Sequence, residues 1–351
     1  MVTEGISREE LQLAARNHGM PLEALRYDVT PAGLHYLLIH YDIPEVHEEG
    51  WRLEVGGAVE RPTSLSLDAL RARPSVSAEV TLECAGNGRA LLEPRPISQP
   101  WLVEAVGNAR WTGTSLRGLL DEAGVADDAV EVAFAGLDRG VEAEVEQTYE
   151  RALPIEEAMR PEVMLAYAMN DEPLLPQHGY PLRLVVPGWY GMTHVKWLAR
   201  IEVLREPFDG YQNTRGYRWR TVEDDPGTGV TRIAPRALMV PPGIPEFLTR
   251  SRIVDAGAVQ LRGRAWSGLG AIDRVEVGLD GTGWWDAELD AAPTDRFAWR
   301  GWRAEWDATP GDHVLMCRAT DATGTTQPTD PPWNVGGYSN NAVQRVPILV
   351  R

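Results

Sequence analysis

The last third of the chain alternates apolar and polar residues at period two and carries no helical repeat, which restricts it to antiparallel β structure. The alternation runs through Val259–Trp266, Val275–Leu279, Trp299–Trp306 and His313–Ala319. Asp280-Gly281, Pro310-Gly311 and Thr323-Gly324 supply turns between these runs. Short strands at this spacing predict a β-sandwich of about 100 residues. A Pro/Gly-rich passage, Pro235 to Pro245, separates this part from what precedes it. The 351 residues also exceed the roughly 250–300 at which a single core stops growing. Two domains are therefore expected, residues 1–235 and residues 236–351.

The first domain reads as mixed α+β. Strand-like runs at Val80–Leu82, Val130–Phe134, Leu182–Val186 and Ile201–Leu204 are interspersed with helical segments at Leu116–Glu122 and Ile155–Met159, the latter bracketed by Pro154 and Pro161. Ser7 to Arg16 has the spacing of a short surface helix, with Ser7 and Glu10 placed as a capping box. Leu34 to Ile43 reads as a strand.

Chemistry concentrates in Val80-Thr81-Leu82-Glu83-Cys84-Ala85-Gly86-Asn87-Gly88-Arg89, where one of only two cysteines sits in a Gly-containing turn after a strand. A thiolate there is a soft metal donor, and Arg89 is placed to depress the thiol pKa and hold an anion beside a metal. The competing reading is a small buried hydrophobe. A second block, Gln177 to Gly191 running into Val195-Lys196-Trp197-Leu198, joins an apolar strand to a Pro187-Gly188 turn, with Arg183, His194 and Lys196 nearby. Such a cluster suits a phosphate and pterin cradle.

These segments resemble the sulfite oxidase family of molybdopterin-dependent oxidoreductases. The Cys84–Arg89 stretch is similar to the family's C-A-G-N-x-R turn. Trp101, Ala109-Arg110-Trp111-Thr112-Gly113 and Phe134-Ala135-Gly136-Leu137-Asp138 are similar to its aromatic and F-x-G-x-D segments. The resemblance extends from about His40 to the C-terminus. It implies a molybdopterin-binding α+β domain followed by an immunoglobulin-like sandwich used for homodimerisation, with Mo-molybdopterin as cofactor.

By the same resemblance, Cys84 is the metal ligand, Arg89 binds the substrate oxyanion, Trp101 lines the pocket and Tyr217 is the active-site tyrosine, with Tyr211 as a competing candidate. Arg345 is a further basic residue reaching towards the pocket. His40, Asp138, His178, Arg183, His194, Val195 and Lys196 hold the pterin and its phosphate. Cys317 is a buried strand residue of the sandwich. Two departures bear on the substrate. Leu38 and Ile39 stand where sulfite-oxidising members carry arginine and asparagine, and Gly88 stands where many carry another arginine.

The activity implied is oxygen-atom transfer that oxidises sulfite or a similar small oxyanion. Electrons leave to a separate acceptor, since the chain carries neither a CxxCH haem site nor a cytochrome b5-like segment. Two other readings stand beside this one: the same fold acting on another S- or N-oxide or a carrier-bound sulfur species, and a non-catalytic β-rich binding protein. A net charge of −17 argues against nucleic acid and anionic membrane surfaces as partners. No stretch approaches the ~20 apolar residues of a membrane span. Met1 to Ser7 lacks the features of a secretory signal, so a cytoplasmic location with both cysteines reduced is expected. The tryptophans of the sandwich, Trp266, Trp284, Trp285, Trp299, Trp302, Trp306 and Trp333, exceed what one core needs, which points to a homodimer interface.

Overall fold

A computed structural model describes residues 5–351; residues 1–4, part of the opening segment read above for a leader, lie outside the described residues. Two five-stranded sheets form the body of the first domain, with a two-stranded ribbon, Arg218–Trp219 and Thr228–Gly229, beside them. One sheet has the order Thr63–Leu65, Leu53–Gly57, Leu198–Leu204, Glu131–Glu142, Val145–Pro154. Leu53–Gly57 and Leu198–Leu204 pair in parallel, and the other neighbours are antiparallel. The other sheet runs Ser75–Glu83, Val106–Ser115, Met164–Met169, Glu172–Pro173, with Arg183–Val185 also on Met164–Met169.

Helix Leu116–Ala123 follows directly from Val106–Ser115. The Ser115 side chain caps it by accepting from Gly118 N, and Gly124 ends it at φ +72°. Its buried face, Leu116, Leu119, Leu120 and Ala123, joins Leu53, Val132, Phe134, Leu165, Leu184 and Ile201 in one core. At the N-terminus, helix Arg8–Arg16 carries the expected capping box, with Glu10 N donating to Ser7 Oγ at 3.2 Å and Ser7 N to Glu10 Oε2 at 2.8 Å. Arg95 pairs with the buried Glu10 and ties the helix down.

Residues Leu34–Ile43 do not form the expected strand; the segment makes an isolated antiparallel bridge between Leu37 and His18. Its backbone groups are taken by side chains instead, Ile39 N donating to Asn17 Oδ1 at 2.7 Å and Lys196 Nζ donating to Leu38 O at 2.8 Å. The apolar spacing there belongs to a segment that walls a cavity.

The second domain is a sandwich of a four-stranded and a six-stranded sheet. Gly257–Trp266 and Arg300–Ala308 pair over nine residues in the first. In the second, Gly311–Asp321 lies between Ile272–Leu279 and the last strand, Gln344–Val350. That last strand alternates buried and exposed without a break, so Val346, Ile348 and Val350 meet Ala237, Leu261, Trp302 and Trp306 across the core. Cys317 is fully buried on Gly311–Asp321, as expected for a strand residue of the sandwich.

Four of the seven tryptophans named for the sandwich are buried within the chain itself. Trp302 and Trp306 fill the sandwich core. Trp266 and Trp299 are buried against the first domain, with Trp266 Nε1 on Glu83 Oε2 at 2.7 Å and Trp299 Nε1 on Asp28 O at 2.8 Å. The residues Pro331–Asn334 form no strand, and Trp333 Nε1 reaches Pro94 O at 2.7 Å.

Candidate active site

Strand Ser75–Glu83 delivers Cys84 into a turn built by Asn87. Asn87 Oδ1 accepts from Ala105 N at 3.1 Å, and its Nδ2 donates to Glu83 Oε1 at 3.0 Å and Val103 O at 3.1 Å. Gly86 is needed because a Cβ would fall 2.6 Å from Arg89 Nη1. Gly88 has φ +90°, and a Cβ there would fall 2.8 Å from Asn340 Nδ2. The sandwich thus occupies the space into which an arginine at position 88 would project. Burial pushes the Cys84 thiol pKa up, against the opposing charge of Arg89.

Two adjoining cavities share Leu38, His40, Cys84 and Tyr217, so the thiol stands at their junction. The inner cavity holds His35, Asp138, His178, Arg183, His194 and Lys196. The outer one holds Arg89, Trp101, Glu142 and Tyr338.

In the inner cavity Arg183 donates to His178 O at 3.1 Å and His194 O at 3.3 Å, and its guanidinium lies 4.6 Å from the Trp111 ring centroid. Burial lowers its pKa to about 10, leaving it charged. Lys196 Nζ donates to Leu38 O and, at 3.1 Å, to Gln177 O, and burial lowers it to about 7. Burial also depresses His35 to about 4 and His178 to about 3, so both imidazoles are neutral.

Among the described residues, His35 Nε2, Asp138 Oδ1, Arg183 Nε and Thr193 Oγ1 are buried without a hydrogen-bond partner. Unpaired buried polar atoms on this scale are costly. A ligand with ring amides and a phosphate would satisfy donors and acceptors of this kind, and the residues present fit a pterin cofactor. No three His, Cys, Asp or Glu side chains among the described residues converge on a metal position. A metal at Cys84 must therefore bring its other ligands with it.

Asp138 gives this cavity a pH signature. Burial pushes its carboxyl from 3.8 to about 6, opposed by Lys196. Across that window the folded protein holds a proton the unfolded chain has released, so stability falls as pH rises. Asp138→Asn is expected to flatten this part of the curve in cofactor-free protein, gaining about 2–3 kcal/mol over the wild type at pH 7. Urea unfolding at both ends of the window checks this; an unchanged slope would refute it.

Three of the expected site residues are placed differently from the others. Arg345 lies on the last strand opposite Met316, half exposed, with its guanidinium towards Thr329 O and Asp330. It lines a different groove, because strand pairing turns it away from Cys84. The Val195 side chain is in the core between elements, and its backbone N and O are taken by Thr193 O at 3.0 Å and Leu184 N at 2.8 Å. His194 walls the inner cavity, but Nδ1 accepts from Val186 N at 3.1 Å and Nε2 lies 3.0 Å from Trp189 O. Its ring fixes the turn after strand Arg183–Val185 and has no free nitrogen for a ligand.

Tyr217, at φ +48°, lines both cavities, with its hydroxyl 3.4 Å from His40 Nδ1 and its ring 5.7 Å from the Arg151 guanidinium. Tyr211 opens a short helix beside a separate surface pocket. Between the two candidates, Tyr217 is the one at Cys84. Residues not singled out in the sequence complete the outer cavity. The Tyr338 ring lies tilted 5.3 Å from Tyr217 and under the Arg89 guanidinium at 5.2 Å. Glu142 Oε2 accepts from His40 Nε2 at 3.1 Å, and from Tyr41 OH and Gln212 Nε2, each at 2.9 Å.

Comparison with known proteins agrees with this geometry. The oxidoreductase molybdopterin binding domain family matches residues 40–212, and the Mo-co oxidoreductase dimerisation domain family matches residues 236–351. Sulfite oxidase of Gallus gallus is 34% identical over 336 residues, covering 90% of this chain and 72% of that protein. The chain belongs to the sulfite oxidase family. Mitochondrial sulfite oxidase of Mus musculus is 35% identical over 92% of this chain, which spans 62% of that relative's length. Nitrate reductase [NADH] 1 of Oryza sativa subsp. japonica is 31% identical over 92% of the chain and 38% of its own. The crystal structure of the sulfane dehydrogenase SoxCD from Paracoccus pantotrophus superposes with a TM-score of 0.80 at 28% identity, covering 93% of this chain and 82% of that one. The molybdopterin binding match spans Cys84 and, of the inner cavity, Asp138, His178, Arg183 and Lys196.

Proposed function

We propose that the protein is a molybdenum-dependent oxidoreductase that oxidises a small sulfur oxyanion such as sulfite and passes the electrons to a separate acceptor. The observation that carries this is the place of Cys84 at the junction of the pterin cradle and a second cavity containing Arg89, Trp101 and Tyr217. Molybdenum, when held by the pterin dithiolene and the Cys84 thiolate, supplies an exchangeable oxygen and accepts two electrons. The chain's own residues bind and orient. Arg89 donates Nε to Gly336 O at 2.9 Å and Nη1 to Gln99 O at 3.2 Å, which leaves Nη2 to hold an oxyanion. Trp101 shapes the wall beside it, and the Tyr217 hydroxyl, 3.4 Å from His40 Nδ1, lies at the shared space.

Arg89→Met removes that cation and is expected to raise KM more than tenfold, since a hydrogen bond to a charged group contributes about 1.5–3 kcal/mol. Steady-state kinetics with sulfite and ferricyanide on cofactor-loaded protein test it. A KM within threefold of the wild type would place the anion elsewhere.

The assembly that the dimerisation-domain match supports is a two-fold homodimer. Phe247 and Leu248, 83% and 82% exposed at the tip between Ile244–Pro245 and Arg252–Val254, are apolar surface that a second copy would cover. Light scattering at micromolar concentration is expected to give twice the chain mass of 38.8 kDa; a monomer mass would contradict this. Cys84 and Cys317 are both free and buried.

A further inference from the structure

The outer cavity is poorly matched to a doubly charged substrate. Arg89 is the only lysine or arginine among its lining residues, and it is accompanied by a carboxylate, Glu142. Burial raises the Glu142 pKa, but the hydrogen bonds from His40, Gln212 and Tyr41 outweigh it and the net shift is downward, so the group is ionised. Arg89 and Glu142 are opposite charges in one cavity, with His40 Nε2 3.1 Å from the carboxylate. The amide groups of Asn17 and Gln212 are already engaged, Gln212 Nε2 on Glu142 at 2.9 Å. Asn17 Nδ2 donates to Gln99 Oε1 at 3.0 Å and Asn17 Oδ1 accepts from Ile39 N. Beside Ser98, Gln99, Trp101 and Tyr338, the lining is apolar: Leu38 and Ile39 from the wall segment, Leu13 from the N-terminal helix, and Val141 beside Glu142 at the exposed tip of the hairpin Glu131–Pro154.

We propose that this cavity selects a monoanionic organosulfinate, R–SO2−, with an apolar R group, in preference to the sulfite dianion. The assignment rests on the oxidoreductase reading above and narrows its substrate. The single sulfinate charge pairs with Arg89 Nη2, which donates no hydrogen bond among the described residues. The R group lies along Leu38, Ile39, Leu13 and Val141. Glu142 repels a second negative charge while tolerating an uncharged substituent. The reaction is R–SO2− plus water giving R–SO3− plus two protons and two electrons. One S–O bond forms with the water oxygen, sulfur is oxidised, both water protons are released, and the electrons pass to an external one-electron acceptor.

The test compares benzenesulfinate, methanesulfinate and sulfite on the molybdenum-loaded enzyme with ferricyanide as acceptor. In parallel, calorimetry measures the affinity of the same protein for the product analogues benzenesulfonate and sulfate. Expected is a kcat/KM for benzenesulfinate at least about tenfold above that for sulfite, with methanesulfinate between them, and benzenesulfonate binding at least about tenfold tighter than sulfate. Glu142→Gln should shift the benzenesulfinate-to-sulfite ratio at least about tenfold towards sulfite, chiefly through the KM for sulfite. Sulfite preferred by the wild-type enzyme, or a ratio that Glu142→Gln moves less than about threefold, overturns the proposal and leaves the oxidoreductase reading standing. If Glu142→Gln does not fold, the wild-type ratio and the two affinities decide. Loaded protein that turns over none of the three and binds neither analogue overturns both readings.

Discussion

Cys84→Ser is expected to lower turnover at least a thousandfold, about 4 kcal/mol in barrier terms, while the fold survives. The reason lies in the chemistry of one atom. A hydroxyl is a hard, weakly acidic donor where a soft thiolate is wanted, yet it occupies nearly the same volume in a site that is only 6% exposed. The turn itself does not depend on the sulfur, because Asn87 and its partners Glu83, Val103 and Ala105 hold it. Thermal melts should agree with the wild type to within about 2 °C, a shift that corresponds to about 1 kcal/mol in a chain of this size. Activity above about one per cent of wild type would mean that Cys84 is a buried structural residue.

The second large effect concerns how the two domains meet. Glu83 and Arg236 are each 1% exposed and their charges lie 2.8 Å apart, an ion pair between the residue before Cys84 and the first strand of the sandwich. Glu83 also accepts from Asn87 and Trp266, and Arg236 Nη2 reaches Asn340 O, whose side chain in turn donates to Gly88 O at 2.7 Å. Removing one partner leaves a buried charge without compensation, which costs about 3–5 kcal/mol. Arg236→Met should therefore lower Tm by roughly 5–10 °C and also weaken molybdenum retention, since Ser339 N on Ala85 O at 2.8 Å and Arg89 on Gly336 O belong to the same interface. The double variant Glu83→Gln with Arg236→Met should recover part of the loss. A melt within about 2 °C of the wild type for Arg236→Met would show that the domains are held by apolar contact alone.

The cysteine turn was legible in the sequence because its determinants are local: a strand, two glycines required by close contacts, an asparagine that bonds its own neighbours, and an arginine on the same turn. The sandwich was legible for the same reason, since period-two burial is written residue by residue into strands such as Gln344–Val350. What escaped depends on chain segments far apart. Glu142 reaches the site from a hairpin tip and Tyr338 from a loop without periodicity, and neither carries a local signal. His35 was hidden in a segment whose apolar spacing mimics a strand but serves two cavity walls. Arg345 and Val195 are placed differently for a geometric reason: adjacent residues on a strand or turn point in different directions, so a matched position does not guarantee a matched side chain.

The most direct test of a cofactor-borne metal held by Cys84 is elemental analysis of protein purified from a molybdopterin-competent host. One molybdenum per chain, lost in Cys84→Ser protein that melts like the wild type, is the expected result. Stoichiometric zinc or iron with molybdenum absent would contradict it.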